Sequence, residues 1–139
     1  MELPAVDQCG WTASFATRLV RPKSSLVMCG DGNGRLIDLD WATWGRQEAS
    51  ARGVYTWNTC APECAAPTSK WDDTPATATL SDPLPTPQGP LFALLSVHVI
   101  KPTRDTPESQ TILYVPTEVA CDRTNRGWAR EHHVLCGPL

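Results

Sequence analysis

The residues best suited to chemistry are six cysteines, at positions 9, 29, 60, 64, 121 and 136. An even set of this size, among six tryptophans and thirteen prolines in 139 residues, indicates a disulfide framework in a turn-rich domain of an oxidising compartment. Spacing alone does not fix how Cys9, Cys29, Cys60, Cys64, Cys121 and Cys136 pair. Cys121 with Cys136 is the favoured pair, because they bracket a polar segment with few core residues of its own. Its closure is worth about 3 kcal/mol in a loop-entropy account. Zinc is the competing chemistry, since Cys60 and Cys64 with His132, His133 and Cys136 supply ligands of the right type for a tetrahedral site. That arrangement strands Cys9, Cys29 and Cys121 as an odd remainder, so disulfides are expected, with no metal and no cofactor.

Catalytic constellations are harder to assemble. His98, His132 and His133 are each chemically able to act as a general base. A nucleophile to partner them is missing: Ser81 and Ser96 lie in or beside strand-like segments without a Gly-x-Ser-x-Gly elbow, and oxidised cysteines offer no thiolate. Asp72-Asp73 and the Asp38/Asp40 pair fit solvated acids on wet faces. Cys29 to Asp40 matches a calcium-binding EF-hand loop at several positions, but Cys29 stands where a carboxylate is required and the flanks are strand-like. The chain is therefore expected not to be an enzyme, the alternative being a small secreted hydrolase without a legible motif.

Tryptophan provides the positive lead, because an indole serves equally as core packing, as an interface anchor or as a platform for a sugar ring. Trp41 and Trp57 fall on apolar faces by alternation. Trp71 stands in a polar, proline-rich stretch beside Lys70, Asp72 and Asp73; Trp44 precedes Gly45; Trp128 lies in the polar C-terminal stretch. Trp71, Trp44 and Trp128 are the interaction candidates, in that order of preference between the first two.

The elements that must position these residues are mostly strands, because period two recurs and period 3.6 hardly appears. Glu48 to Asn58 is the clearest, with Ala49, Ala51, Gly53, Tyr55 and Trp57 on one face. Ser24 to Cys29 and Arg35 to Trp41 flank a glycine-rich turn and form a hairpin, with Ile37, Leu39 and Trp41 inward and positive φ at Gly32 or Gly34. Ala76 to Leu80, Leu91 to Ile100 and Thr111 to Val115 complete the strands, and Leu91 to Ile100 is the central one. Proline-rich loops cover Ala61 to Pro75, Ser81 to Pro90 and Lys101 to Gln110. A short helix fits Asn125 to Leu135. The expected fold is all-β: residues 1–139 form a single antiparallel β-sandwich or small barrel stapled by disulfides.

Arg21-Pro22-Lys23-Ser24, Cys29-Gly30-Asp31-Gly32-Asn33, Trp41-x2-Trp44-Gly45, Cys60-x-Pro62-x-Cys64-Ala65-Ala66 and Leu80-Ser81-Asp82-Pro83 together resemble small secreted or lipid-anchored actinomycete proteins without an assigned activity. The resemblance spans roughly residues 20 to 100 and lies in the joint spacing of the pieces. It implies an exported protein of the cell envelope and brings no catalytic residues with it. Cys121, Cys136 and the polar C-terminal stretch are outside the pattern.

Charge and hydropathy narrow the partners. Twelve basic against fifteen acidic residues give a formal charge of -3. There is no basic stripe for a phosphate backbone, so nucleic acid is excluded. The longest apolar run, Leu91 to Ile100, is far too short for a transmembrane helix. Met1 to Gln8 lacks a charged region followed by an apolar one, so export implies a signal or lipid-anchor segment already removed. The function expected from sequence is a non-enzymatic binding module, secreted or surface-tethered, for a protein or an envelope glycan.

Overall fold

The computed structural model describes residues 21–26, 33–61, 63–87, 89–115 and 117–137. Cys9, Cys29 and the Gly30 to Gly32 part of the expected turn lie outside them. Among the described residues six strands form one sheet in the order β1-β2-β3-β4-β5-β6. They are β1 (Ser25–Leu26), β2 (Gly34–Trp44), β3 (Glu48–Asn58), β4 (Trp71–Leu84), β5 (Leu91–Val99) and β6 (Gln110–Leu113). Every neighbouring pair is antiparallel. The all-β, antiparallel class therefore holds. Of its two forms, the meander order is that of an up-and-down barrel left open between β1 and β6, not of two stacked sheets.

The core occupies one face of this sheet. Leu36, Leu39, Ala49, Ala51, Tyr55, Ala76, Ala78, Leu80, Phe92, Leu95, Val97 and Tyr114 form one buried cluster, and Trp41, Trp44, Trp57 and Ile112 pack against it. Its middle is a strip of small residues, Ala49, Ala51, Ala76 and Ala78, on the two central strands. Trp44 of β2 and Phe92 of β5 reach over that strip, with ring centres 5.5 Å apart. Three strand spacings separate these strands, about 14 Å in a flat sheet, so the ring contact marks the curl of the sheet over the alanines.

Strand β2 departs from simple alternation. Its register against β3 shifts between Ile37 and Asp40, and again between Trp41 and Thr43. Asp38 sits at φ +53° in the first bulge. The bulge inverts the phase, so that Leu36, Leu39 and Trp41 face the core and Ile37 is half-buried outside it, a correction to the inward Ile37 expected from period two. Gly53 lies opposite the bulge; a Cβ there would stand 2.8 Å from the Ile37 carbonyl oxygen and 2.9 Å from Leu39 Cδ2. The expected positive φ does not fall on Gly34, which is buried as the first residue of β2 and pairs with Trp57.

Strand β4 is much longer than the Ala76 to Leu80 segment expected, taking in Trp71 to Pro75 and Ser81 to Leu84 from what were expected to be loops. Its two prolines are tolerated because each lies where a neighbouring strand has run out. Pro75 is beyond Val99, the last β5 partner, and Pro83 is beyond Glu48, the first residue of β3.

A compact C-terminal segment covers one end of the sheet. It comprises α1 (Thr117–Ala120), a 3-10 turn at Arg123–Asn125 and α2 (Arg126–Glu131). Asp122 caps the turn, accepting hydrogen bonds from the Thr124 backbone N–H at 3.1 Å and its hydroxyl at 2.6 Å. Leu91, Phe92 and Ala93 are buried in succession, so the sheet is covered on both faces at this end. Leu91 and Ala93 join Leu84, Val115 and Ala120 in a second apolar cluster, packed by Val119, Trp128 and Val134. Cys121 and Cys136 are disulfide-bonded, the pair favoured from sequence. The Arg126 guanidinium donates to the Cys121 and Gly137 carbonyls at 3.1 and 2.6 Å, joining both ends of the ring. Among the described residues no helix is long and apolar enough to cross a membrane.

Candidate functional site

At the loop end of the central hairpin β3 stops at Asn58 and β4 begins at Trp71, with Trp57 paired to Asp72 and Asn58 to Trp71. The connection between them is held tightly. The Thr59 N–H and hydroxyl both donate to the Lys70 carbonyl, at 2.8 and 2.7 Å, and the Lys70 N–H donates to the Ala61 carbonyl. Cys60 and Cys64 are disulfide-bonded within this loop. Asn58, only 9% exposed, is its anchor. The Asn58 carboxamide donates to the Cys64 carbonyl at 3.0 Å and to Asn33 Oδ1 at 3.2 Å, and it accepts the Cys60 N–H at 2.9 Å. That full set of partners explains how a polar side chain is buried here without cost to the strand end.

Trp71 emerges from this anchored end. It is 41% exposed, the one large aromatic so exposed among the described residues. The Arg35 guanidinium lies over its ring, 5.0 Å from the centre, a cation–π contact that fixes the orientation of an otherwise mobile surface indole. The same strand end borders a cleft of about 400 Å³ lined by Trp57, Asn58, Thr59, Asp72 and Asp105 but not by Trp71, which is on the strand face opposite that of Asp72. Strand β3 supplies Trp57, whose indole packs edge-on against Tyr55 with centres 6.3 Å apart. Strand β4 supplies Asp72, and Asp105 comes from the loop between β5 and β6.

The other interaction candidates are placed differently. Trp44 is half-buried, edge-on to Trp41 at 4.8 Å as well as to Phe92. Trp128 is half-buried against the second cluster and stacks on the His132 ring at 3.9 Å. Trp71 is not in a loop, as its polar surroundings suggested, but is the first residue of β4. Cys60, Cys64, Cys121 and Cys136 are consumed in disulfides and offer no thiolate for zinc or for catalysis. Among the described residues no three His, Cys, Asp or Glu side chains converge as a metal site.

A second constellation joins the C-terminal segment to the sheet. His132 Nε2 lies 2.8 Å from the Asp82 carboxylate, and Nδ1 lies 2.8 Å from the Trp128 carbonyl oxygen. Both ring nitrogens are therefore engaged within the protein, one by a carboxylate and the other by a backbone carbonyl. Asp82 holds φ +54° beside Pro83, where β4 bends toward this contact. His98 is exposed on the outer face of β5, and His133 is exposed past the end of α2.

Sequence reasoning did not single out Asn58, Asp105 or the Asp82–His132 pair. Asn58 had a signal in its place just before the Cys60 turn, where an Asx side chain commonly caps backbone donors. Asp105 and the Asp82–His132 pair unite residues distant in the chain, and no local pattern carries that information. Comparison with protein-family models, with curated proteins and with solved structures found no match.

Proposed function

We propose that this protein is a non-enzymatic, extracytoplasmic binding module whose contact edge is the strand end bearing Trp71. The observation that carries the reading is the indole itself: exposed, held under Arg35, and placed at the start of β4, where the connection closed by Cys60–Cys64 and pinned by Asn58 ends. An aromatic residue presented on a rigid frame loses little conformational freedom on binding, which is what an interaction anchor requires. The two disulfides among the described residues favour an oxidising compartment, and the resemblance to exported actinomycete proteins points to the cell envelope. A hydrolase is the weaker reading, because the one histidine engaged with a carboxylate has both nitrogens occupied.

The test is recovery of a partner from an envelope fraction by the wild-type chain and by Trp71→Ala, each with its melting curve. Loss of the partner at unchanged stability supports the reading. Equal recovery by the two proteins removes Trp71 from the function.

The cleft favours a specific second reading, a module for an envelope glycan. An indole, two carboxylates and a hydroxyl around one concavity are the groups that sugar rings meet through their C–H faces and hydroxyls. A platform of several coplanar exposed tryptophans is absent among the described residues, so the cleft and not a flat surface carries this reading.

A further inference from the structure

We infer that the Cys60–Cys64 bridge is a redox switch for the strand end that bears Trp71, opened and re-formed by thiol–disulfide exchange, while Cys121–Cys136 is a structural staple. The inference goes beyond the binding reading and stands whether or not Trp71 meets a partner. The two bridges differ first in what they hold. Cys60 and Cys64 are 4 residues apart and Cys121 and Cys136 are 15 apart, so the first closes the smaller ring and constrains the unfolded chain less. The β3–β4 connection is also closed without it. Asn58 pairs with Trp71 in the sheet, Thr59 is hydrogen-bonded to Lys70 across the loop, and the Lys70 N–H returns to the Ala61 carbonyl. By linkage, a bridge that adds little to the fold gains little from the fold, which makes it the more easily reduced of the two. The other bridge closes the larger ring in a segment that lies outside the sheet.

The bridges differ next in access. Cys64 is exposed, whereas Cys121 and Cys136 are both half-buried. Exposed or strained disulfides are the labile ones, because exchange requires an incoming thiolate to reach one sulfur. Cys60 adds backbone strain, since it holds φ +59° without being glycine. A dithiol balances the reaction. One of its thiolates bonds to Cys64 Sγ as the Cys60–Cys64 bond breaks, and the electron pair leaves on Cys60 Sγ, which takes up a proton. The second thiolate then bonds to the donor sulfur of the mixed disulfide, Cys64 leaves as a thiolate and is protonated, and the donor departs oxidised by two electrons.

Asn58 carries the change to Trp71. Its carboxamide accepts the Cys60 N–H and donates to the Cys64 carbonyl, so it is bonded to the backbone of both half-cystines, and Asn58 faces Trp71 across the ladder. With the bridge open, those two hydrogen bonds lose their fixed geometry. A buried carboxamide short of partners favours fraying of the strand end, which loosens Trp71 from Arg35.

The test equilibrates the full chain in mixtures of reduced and oxidised dithiothreitol, followed by acid quenching, alkylation and peptide mass spectrometry. Cys60 and Cys64 should be trapped as thiols at a reduced-to-oxidised ratio at least about tenfold below the one that opens Cys121–Cys136, and should close again in the oxidised mixture. Acrylamide should quench tryptophan emission more strongly once Cys60–Cys64 is open, and Trp71→Phe should remove that difference. Hydrogen exchange in the middle of β3 and β4 should stay unchanged. The double variant Cys60→Ser, Cys64→Ser should fold and show the quenching of the reduced form without reductant. Reduction of Cys121–Cys136 first or at the same ratio would overturn the inference, as would opening of Cys60–Cys64 only when the sheet unfolds. So would a double variant that does not fold, equal quenching of the two forms, or a difference that persists in Trp71→Phe.

Discussion

Two residues, Trp71 and Gly53, show how differently single positions are constrained. Trp71 spends its surface on Arg35 and solvent, not on the core, so Trp71→Ala should change stability by less than about 1 kcal/mol. A core-capping tryptophan would cost about 3 kcal/mol or more, and a denaturant titration separates the two cases. Gly53 is the reverse, a position without a side chain that tolerates none. A methyl group would press on the Ile37 carbonyl and the Leu39 side chain, so Gly53→Ala should destabilise the fold by about 1–3 kcal/mol, read from the shift in urea midpoint. Trp71 was legible from sequence because its neighbours Lys70, Asp72 and Asp73 are all charged. The demand on Gly53 was not, since it arises from a bulge in a different strand.

At the scale of elements, β3 was readable to its ends because it lies in the middle of the sheet with one face buried, and its alternation records that directly. Strand β2 was readable over Arg35 to Trp41 and in the inward Leu39 and Trp41, but not in its run to Trp44 or in the phase of Ile37, because its two bulges each insert a residue that period two cannot anticipate. Strand β4 was under-read because Pro75 and Pro83 look like strand breakers; only the lengths of its neighbours reveal that no backbone N–H is needed there. The C-terminal segment depends on its links rather than its helices. Strand of its own it has none, and α2 with six residues is too short to stand alone. The Cys121–Cys136 bond and the Arg126 contacts tie the segment to itself, while the His132–Asp82 pair and the second apolar cluster tie it to the sheet. Replacing both cysteines by alanine should cost about 3 kcal/mol, as expected for a ring of this length. Hydrogen exchange should then show early opening confined to residues after Val115, with β3 and β4 still protected; uniform loss of protection would mean that the segment and the sheet unfold as one unit.

The whole molecule is a curled sheet closed over small residues by aromatic rings, with the disulfides placed at its margins. Both described bridges lie outside the main cluster, at the β3–β4 connection and in the C-terminal segment, so reduction should weaken the margins before the core. What the core contributes can be read from Tyr55, 1% exposed at the centre of β3. Burial raises its phenol above the ordinary value of 10.0, and a hydrogen bond with the Gln110 side chain offsets part of that rise. A raised pKa in the folded state means that folding favours the protonated phenol. Its contribution is therefore fully present below pH 10.0 and is lost as pH climbs through the folded-state value. Stability of the wild type should fall on the alkaline side more steeply than that of Tyr55→Phe, which has no phenol to ionise. The difference between their urea midpoints, followed from neutral pH into that range, isolates Tyr55 from the lysines that titrate alongside it. Parallel curves would show that Tyr55 reaches solvent readily, and that the aromatic closure over the alanine strip is looser than its packing indicates.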